Sequence, residues 1–395
     1  MSRSRLRPPS PWDAALGTVL KGLRSGTLAV EMPDGADREF RGELPGPSAR
    51  VVVRDASVAR RVLLGASTAL AETYMDGSWD TPDLVSVLDL GLSNIDAGWA
   101  EFPVVLRPAQ RWWHAMRDND PRGGAKRNIA YHYDVGNDFY RLWLDDTMTY
   151  SCACFDDGGD LKSAQVRKWD RMLDLVQPGP HDHILEIGCG WGGFAVHAAR
   201  EAGCRVTGLT ISEAQAELAR AHVRESGLDG RVDIELRDYR EEAGSYDGVV
   251  SIEMFEAVGE KWWPTYFGQV KQLLRPGAAA AMQVITIAED RFERYRTNPD
   301  FIQRYVFPGG MLPSPERFAA GAGAAGLTAR DPVFFGHDYA RTLEEWSGRF
   351  EAALSEVRAL GFSERFIRMW RYYLAYCRVG FEHESIDVMQ MRLEA

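Results

Sequence analysis

The chain has 395 residues, 45% of them hydrophobic, and a formal net charge of −11. That length holds two domains with an ample core, and the acidic balance excludes a general attraction to nucleic acid or anionic lipid, leaving any membrane contact to a local patch. No apolar run reaches the roughly 18–20 residues of a membrane span, no apolar stretch follows the charged N-terminus as in a secretory signal, and the five dispersed cysteines form neither a disulfide framework nor a zinc spacing. A cytoplasmic protein without a metal site is expected.

Residues 1–103 read as a small α+β domain. Leu28 to Met32 and Ala49 to Val53 have strand patterning, and Ala56 to Leu64 and Asp83 to Leu92 have helical patterning. Residues 104–125 form a linker whose portion from Leu106 to Arg117 makes an amphipathic helix. It displays Trp112 and Trp113 either to a bilayer interface or to the neighbouring domain. The local basic patches are Arg3, Arg5 and Arg7 near the start, and Arg122, Lys126 and Arg127 in and just after the linker.

Residues 126–395 form the larger domain. It opens with YHYDVGNDFYRLWLDDTMTYSCACF, Tyr131 to Phe155, in which His132, Asp134, Asn137, Asp138, Asp145 and Asp146 interrupt the aromatics too densely for a buried helix. The segment reads as the lining of a pocket. From Ile184 to Ser212 the chain reads as strand, glycine-rich turn, helix and second strand. Val232 to Leu236, Gly248 to Ile252 and Ala279 to Ile287 continue the alternation, with Leu274 to Gln283 read as the turn before the last of these strands. An α/β fold with a doubly wound, Rossmann-like sheet is implied, its ligand at the carboxyl ends of the strands, where Gly188, Thr210, Asp238 and Glu253 fall. From Asp300 onward the pattern is mostly helical, and Ser363 to Phe381 is long enough to help cap the site.

The turn is G-x-G-x-G, and Leu209 and Thr210 stand where a dinucleotide site has its ribose-binding acid about 20 residues on. S-adenosylmethionine has no pyrophosphate and needs backbone room plus polar groups. Gly188, Gly190, Gly192, Thr210 and Gln215 suit that ligand, with Asp238 and Tyr239 of LRDYR on the adenine side.

Together with EMFEAVG at Glu253 to Gly259, FIQRYVFPGGMLPS at Phe301 to Ser314 and YYLAYCRVGF at Tyr372 to Phe381, the aromatic segment closely resembles the cyclopropane-fatty-acid synthase family. The resemblance runs from about Lys126 to the C-terminus. It implies transfer of a methyl group from S-adenosylmethionine to the cis double bond of an acyl chain, usually one esterified in a phospholipid. A bilayer surface is then the partner and the inner face of the membrane the place of action, and a homo-oligomer is compatible with it. Tyr150 and Ser151 join the cofactor set. His132, Tyr133, Phe139, Tyr140 and Phe307 are assigned to the substrate, and aromatic faces, those of Tyr305 and Tyr339 included, suit the carbocation that follows transfer.

In the family a bound bicarbonate is the base that closes the ring. Carried over, its holders are the Cys152 backbone, Glu256, Tyr339 and the Ile287 backbone, with Cys377 close by. Ile285 stands where the family has histidine, and losing such a charge-assisted bond costs roughly 1.5–3 kcal/mol. Gln283, two residues earlier on the same strand face, is the candidate to compensate. A cyclopropane product is expected, with a methyl- or methylene-branched chain as the alternative. A non-catalytic lipid-binding protein of the same fold would show damage at the glycine turn or at Glu256, and neither is damaged.

Overall fold

The computed structural model describes residues 10–95, 135–155 and 159–395. The linker from 104 to 125 with Trp112 and Trp113, the basic clusters, His132 and Tyr133 lie outside those residues.

The N-terminal unit is built on a sheet of order β2-β1-β3-β4, from β1 (Ser25–Glu31), β2 (Asp37–Arg41), β3 (Leu44–Val53) and β4 (Trp79–Asp80). Strict alternation in β1 buries Gly26, Leu28 and Val30 on one face. Three helices accompany the sheet: α1 (Pro11–Leu20), α2 (Val58–Met75) and α3 (Leu84–Ser93). Asp83 starts α3 by accepting from the Ser86 amide, and α3 packs on β1 and β3. The helix expected over Ala56 to Leu64 is the first part of α2, which breaks at Ala66, where φ is 49° and ψ −138°, before continuing.

The larger unit carries a seven-stranded sheet of order β10-β11-β9-β8-β5-β6-β7. Its strands are β5 (His183–Ile187), β6 (Arg205–Thr210), β7 (Val232–Leu236), β8 (Tyr246–Ile252), β9 (Leu274–Ile287), β10 (Thr328–Phe334) and β11 (Ile386–Glu394). From β7 to β9 all pairings are parallel. Successive strands run outward from β5 in both directions, so the switch in strand order lies beside β5, where such sheets bind ligands. The helices α4 (Asn137–Arg141), α5 (Leu161–Val176), α6 (Gly193–Glu201), α7 (Glu213–Glu225), α8 (Trp263–Leu273), α9 (Glu289–Thr297), α10 (Pro315–Ala324), α11 (Gly336–Ala352), α12 (Leu354–Ala359) and α13 (Glu364–Glu382) complete it.

Two expectations are corrected. The stretch from Leu274 to Gln283 is strand and not turn; the register slips between Tyr246 and Gly248, and the slip absorbs the residues that read as a turn. The tail is also less helical than its pattern, because β10 and β11 add antiparallel at the edge of β9. Val388 to Gln390 is buried without alternation, and a short buried run of that kind does not distinguish strand from helix.

Helix α13 joins the two units, packing on α2 and α3 as well as on α11. Its Arg368 guanidinium donates to the carbonyls of Tyr74 and Trp79 and lies 4.0 Å from the centre of the Tyr74 ring. Arg365 adds an ion pair to Asp76, and His383 Nε2 lies 2.7 Å from Asp89 Oδ1. Arg368→Ala leaves two carbonyls without their donor and removes a ring contact, so urea unfolding should show a loss of about 2–4 kcal/mol. A loss under ~0.5 kcal/mol would mean that Arg368 does not hold the units together.

Candidate active site

After Ile187 the chain turns into α6 through Gly188 (φ +85°), Gly190 (φ +52°) and Gly192 (φ +82°), angles that side chains rarely adopt. A Cβ at Gly188 would lie 2.7 Å from the Met254 side chain, whereas one at Gly190 would meet nothing within 4 Å. Gly188 and Gly190 both line a cavity of about 1000 Å³. Gly192, read as a cofactor residue, is a packing position instead: its Cβ would sit 3.2 Å from Ala219 of α7.

Tyr150, Ser151, Thr210, Gln215, Asp238 and Tyr239 line the same cavity. The Thr210 hydroxyl donates to Gln215 Oε1 at 2.8 Å, the Tyr150 and Tyr373 hydroxyls are 2.7 Å apart, and Asp238 is paired with Arg240. Glu186, which the sequence did not single out, is 3% exposed at the end of β5, and its Oε2 has no hydrogen-bond partner among the described residues. Burial pushes its carboxyl up to about 8. These residues fit S-adenosylmethionine: Gly190 leaves room for it, the orphaned Glu186 oxygen suits its ammonium, and Thr210, Gln215 and Asp238 offer partners to its hydroxyls. Gly190→Val should abolish S-adenosylhomocysteine binding in calorimetry while the fold persists; unchanged affinity would remove the cofactor from this turn.

Beyond β8 the chain enters Glu253, a non-glycine residue at φ +50°. Its Oε1 accepts from the Cys152 amide at 2.9 Å and from Gln283 Nε2 at 2.7 Å, and its Oε2 accepts from the Tyr339 hydroxyl at 2.6 Å. Gln283 is itself oriented by Gln390 at 2.8 Å. Lys168 stands nearby on α5, fully buried, with Nζ 2.6 Å from Ser151 Oγ and 2.5 Å from Gln165 Oε1. Burial lowers its pKa to about 8. Burial pushes the Glu253 carboxyl upward, against the Tyr339, Gln283 and Cys152 hydrogen bonds and the Lys168 charge.

This overturns the anion site expected from the sequence. The Cys152 amide and the Tyr339 hydroxyl both serve Glu253, and the Ile287 amide donates to the Pro313 carbonyl at 3.0 Å. A bicarbonate held by these groups would have to displace a carboxylate. Glu256 has a different role: its Oε1 accepts from the Ile285 amide, and its Oε2 has no partner among the described residues. Burial, with the Glu253 charge second, pushes it up to about 8. Glu253 has three donors and Glu256 one, so of these two carboxyls Glu253 is the better placed to carry the charge.

Five other assigned residues line the cavity with Glu253: Tyr339, Phe307, Cys377, Glu256 and Ile287. The Tyr339 ring stacks on Phe381 with centres 4.3 Å apart, and burial pushes the Cys377 thiol well above its ordinary range. Three aromatic assignments are corrected. Phe139 and Tyr140 have no exposed surface and do not line the cavity; they pack behind it, Phe139 against Trp370 at 4.9 Å and Tyr140 against Trp191 at 5.1 Å. Tyr305 donates to Glu72 of the N-terminal unit at 2.6 Å and so serves docking. The overlooked Lys168 left one signal, a lysine on the apolar stripe of α5 between Ala164 and Met172.

Glu256 holds its proton in the folded state up to about pH 8, against an ordinary carboxyl near 4.5. Stability is therefore lost as pH rises through that window, because the unfolded chain has already released the proton. Part of each carboxyl faces the cavity, which moderates the effect. In Glu256→Gln the decline in unfolding free energy between pH 5 and pH 8 should be smaller by on the order of 1–2 kcal/mol. Parallel pH profiles for the two proteins would show that Glu256 is ionised throughout.

Comparison with known proteins follows the same lines. The family profile described as mycolic acid cyclopropane synthetase matches residues 122–391. Tuberculostearic acid methyltransferase UfaA1 of Mycobacterium tuberculosis is 40% identical over 86% of this chain and 82% of its own. Cyclopropane-fatty-acyl-phospholipid synthase of Escherichia coli K12 is 35% identical over 92% of each. Among solved structures, mycolic acid cyclopropane synthase CmaA1 complexed with SAH and CTAB superposes with a TM-score of 0.65 at 32% identity, covering 68% of this chain and 98% of that one.

Proposed function

The chain belongs to the mycolic acid cyclopropane synthetase family, and from that premise we propose that it methylates the cis double bond of an acyl chain in a phospholipid and ends the reaction as a methyl-branched alkene. It is an S-adenosylmethionine-dependent methyltransferase. The observation that carries the reading is the Glu253 carboxylate, fixed by Cys152, Gln283 and Tyr339 in the cavity wall.

When bound, the cofactor would supply an electrophilic methyl group and leave as S-adenosylhomocysteine, whose sulfur keeps the electron pair of the broken S–CH3 bond. The π electrons of the double bond form the new carbon–carbon bond, and the positive charge falls on the other alkene carbon. Phe307, Tyr339 and Phe381 line the cavity, where ring faces attract that charge without offering a lone pair to trap it. Exclusion of water keeps the cation from being quenched. Glu253 then takes a proton, and the electrons of the broken C–H bond fill the cation.

Which proton leaves decides the product. Three donors tether Glu253 to the wall and offset part of the basicity that burial gives it, so its reach to the new methyl is restricted and proton removal there is slow. A hydride can move first from the methyl-bearing carbon to the cationic neighbour, and proton loss after that shift gives a branched alkene. A 40% identical relative that is named a tuberculostearic acid methyltransferase and not a cyclopropane synthase supports this outcome. Ring closure is the second reading, favoured by the 35% identity to a cyclopropane-fatty-acyl-phospholipid synthase; there the methyl proton leaves before any hydride moves. That relative also supports a phospholipid substrate, whose insolubility makes the bilayer surface the partner and the cytoplasmic face the place of action.

Lipids from a heterologous host expressing the chain gain one CH2 in either case, so the test is the proton spectrum of the fatty esters. Alkene protons of a branched chain are expected. Ring protons alone would overturn the branched outcome, and no mass gain would overturn the function. Glu253→Gln should lower kcat by at least ~10²-fold with S-adenosylhomocysteine affinity kept, and should abolish the activity loss that protonation of Glu253 causes as pH falls. Full activity in that variant would exclude Glu253 as the base.

A further inference from the structure

The cavity does not end at the catalytic wall. From Glu253, Tyr339 and Phe307 it passes α13 at Cys377, Gly380 and Phe381 and continues into the N-terminal unit. There it runs between the sheet, at Leu28, Val30 and Val51, and the helices, at Val62, Leu88 and Leu90. Among the described residues no charged side chain lines this far part, whereas the cofactor end carries Glu186, Asp238 and Arg240. Its total volume of about 1000 Å³ lies at the top of the roughly 300–1,000 Å³ range of single small-molecule sites, so it suits a nucleoside and a chain together.

Two details mark this far part as built for a ligand. Helix α2 breaks at Ala66, where φ is 49°, and Gly65 to Thr68 at the break all line the cavity. Non-glycine strain of that kind persists at ligand walls because the surroundings enforce it. Helix α1 buries none of its residues, yet Leu16, Val19 and Leu20 line the cavity, an apolar stripe that a filled chamber would cover.

We propose that the N-terminal unit is the far half of the substrate chamber and holds the methyl-terminal segment of the acyl chain, with the side chain at position 51 limiting its length. The proposal rests on the methyl-transfer reading above. An ester or head group in a chamber lined by Val and Leu would be stripped of its hydrogen bonds, so the purely hydrocarbon end belongs there. Val51 lies in the C-terminal part of β3, paired with Val30 of β1, and is half-buried with its side chain among those lining the cavity.

Three mono-unsaturated chains separate the two sides of the double bond. Palmitoleoyl and cis-vaccenoyl chains share the methyl-terminal segment, and oleoyl and palmitoleoyl share the carboxyl-side segment. Each would be offered in phosphatidylglycerol vesicles to the full chain and to Val51→Trp, with methyl incorporation and S-adenosylhomocysteine affinity both measured. Val51→Trp is expected to lower kcat/KM for oleoyl relative to both other chains by at least roughly tenfold, since it must exclude two methylenes, with cofactor affinity unchanged. Val51→Ala, which adds no bulk, should move the same ratio the other way. A loss confined to cis-vaccenoyl would put the carboxyl side in the chamber, and a loss set by the saturated neighbouring chain would put the second acyl chain there; either overturns the proposal. So do unchanged ratios in both variants. If the unaltered chain methylates none of the lipids, the methyl-transfer reading itself has failed.

Discussion

A carboxylate inside a protein must be surrounded by donors or lose its charge, and Glu253 is the place where this structure meets that demand. Its donors come from elements far apart in sequence: Cys152 from the segment after α4, Gln283 from β9 and Tyr339 from α11. Each charge-assisted bond contributes roughly 1.5–3 kcal/mol, and removing any one leaves a buried charge short of a partner. The constraint therefore fixes more than a side chain. It sets the register of β9 through the pairing of Gln283 with Gln390 on β11, and it ties the helical cap to the sheet through Tyr339. The φ of +50° at Glu253 is a local cost that this network sustains.

The rest of the interior is arranged as a gradient of polarity. At the carboxyl edge of the sheet stand Glu186, Thr210 and Asp238; around the reacting centre stand Phe307, Tyr339 and Phe381; in the N-terminal unit stand valines and leucines. On the proposed function, a cofactor with charged ends, a carbocation and a hydrocarbon tail would each find the medium they tolerate. Helix α13 makes this possible because one face walls the cavity while its arginines hold the N-terminal unit in place. Loosening that clamp would open the apolar chamber to water and weaken the exclusion on which cation chemistry depends.

Local signals were enough for much of this. The G-x-G-x-G turn, the parallel strands and the long helix from Ser363 were legible because each depends on the period of its own residues and on backbone angles that only glycine takes freely. Gly188, Gly190, Thr210, Gln215 and Asp238 fell at the cavity for the same reason: strand ends converge in a doubly wound sheet. The added strands β10 and β11 escaped because an edge strand with exposed charges and a short buried run both lack the alternation that announces a strand.

What the tertiary structure decided is which polar groups answer one another. The residues 253 and 256 are one turn apart and chemically identical, and no pattern in EMFEAVG tells which carboxylate the Cys152 amide and the Tyr339 hydroxyl will choose. The fold chose Glu253 and left Glu256 to the Ile285 amide. In the same way Phe139 and Tyr140 have the composition of a pocket wall, but three-dimensional packing against Trp370 and Trp191 turned them inward. Sequence determines the period and hence the faces of each element; hydrogen-bond partners and cavity walls are set by the distances between elements, which only the folded chain defines.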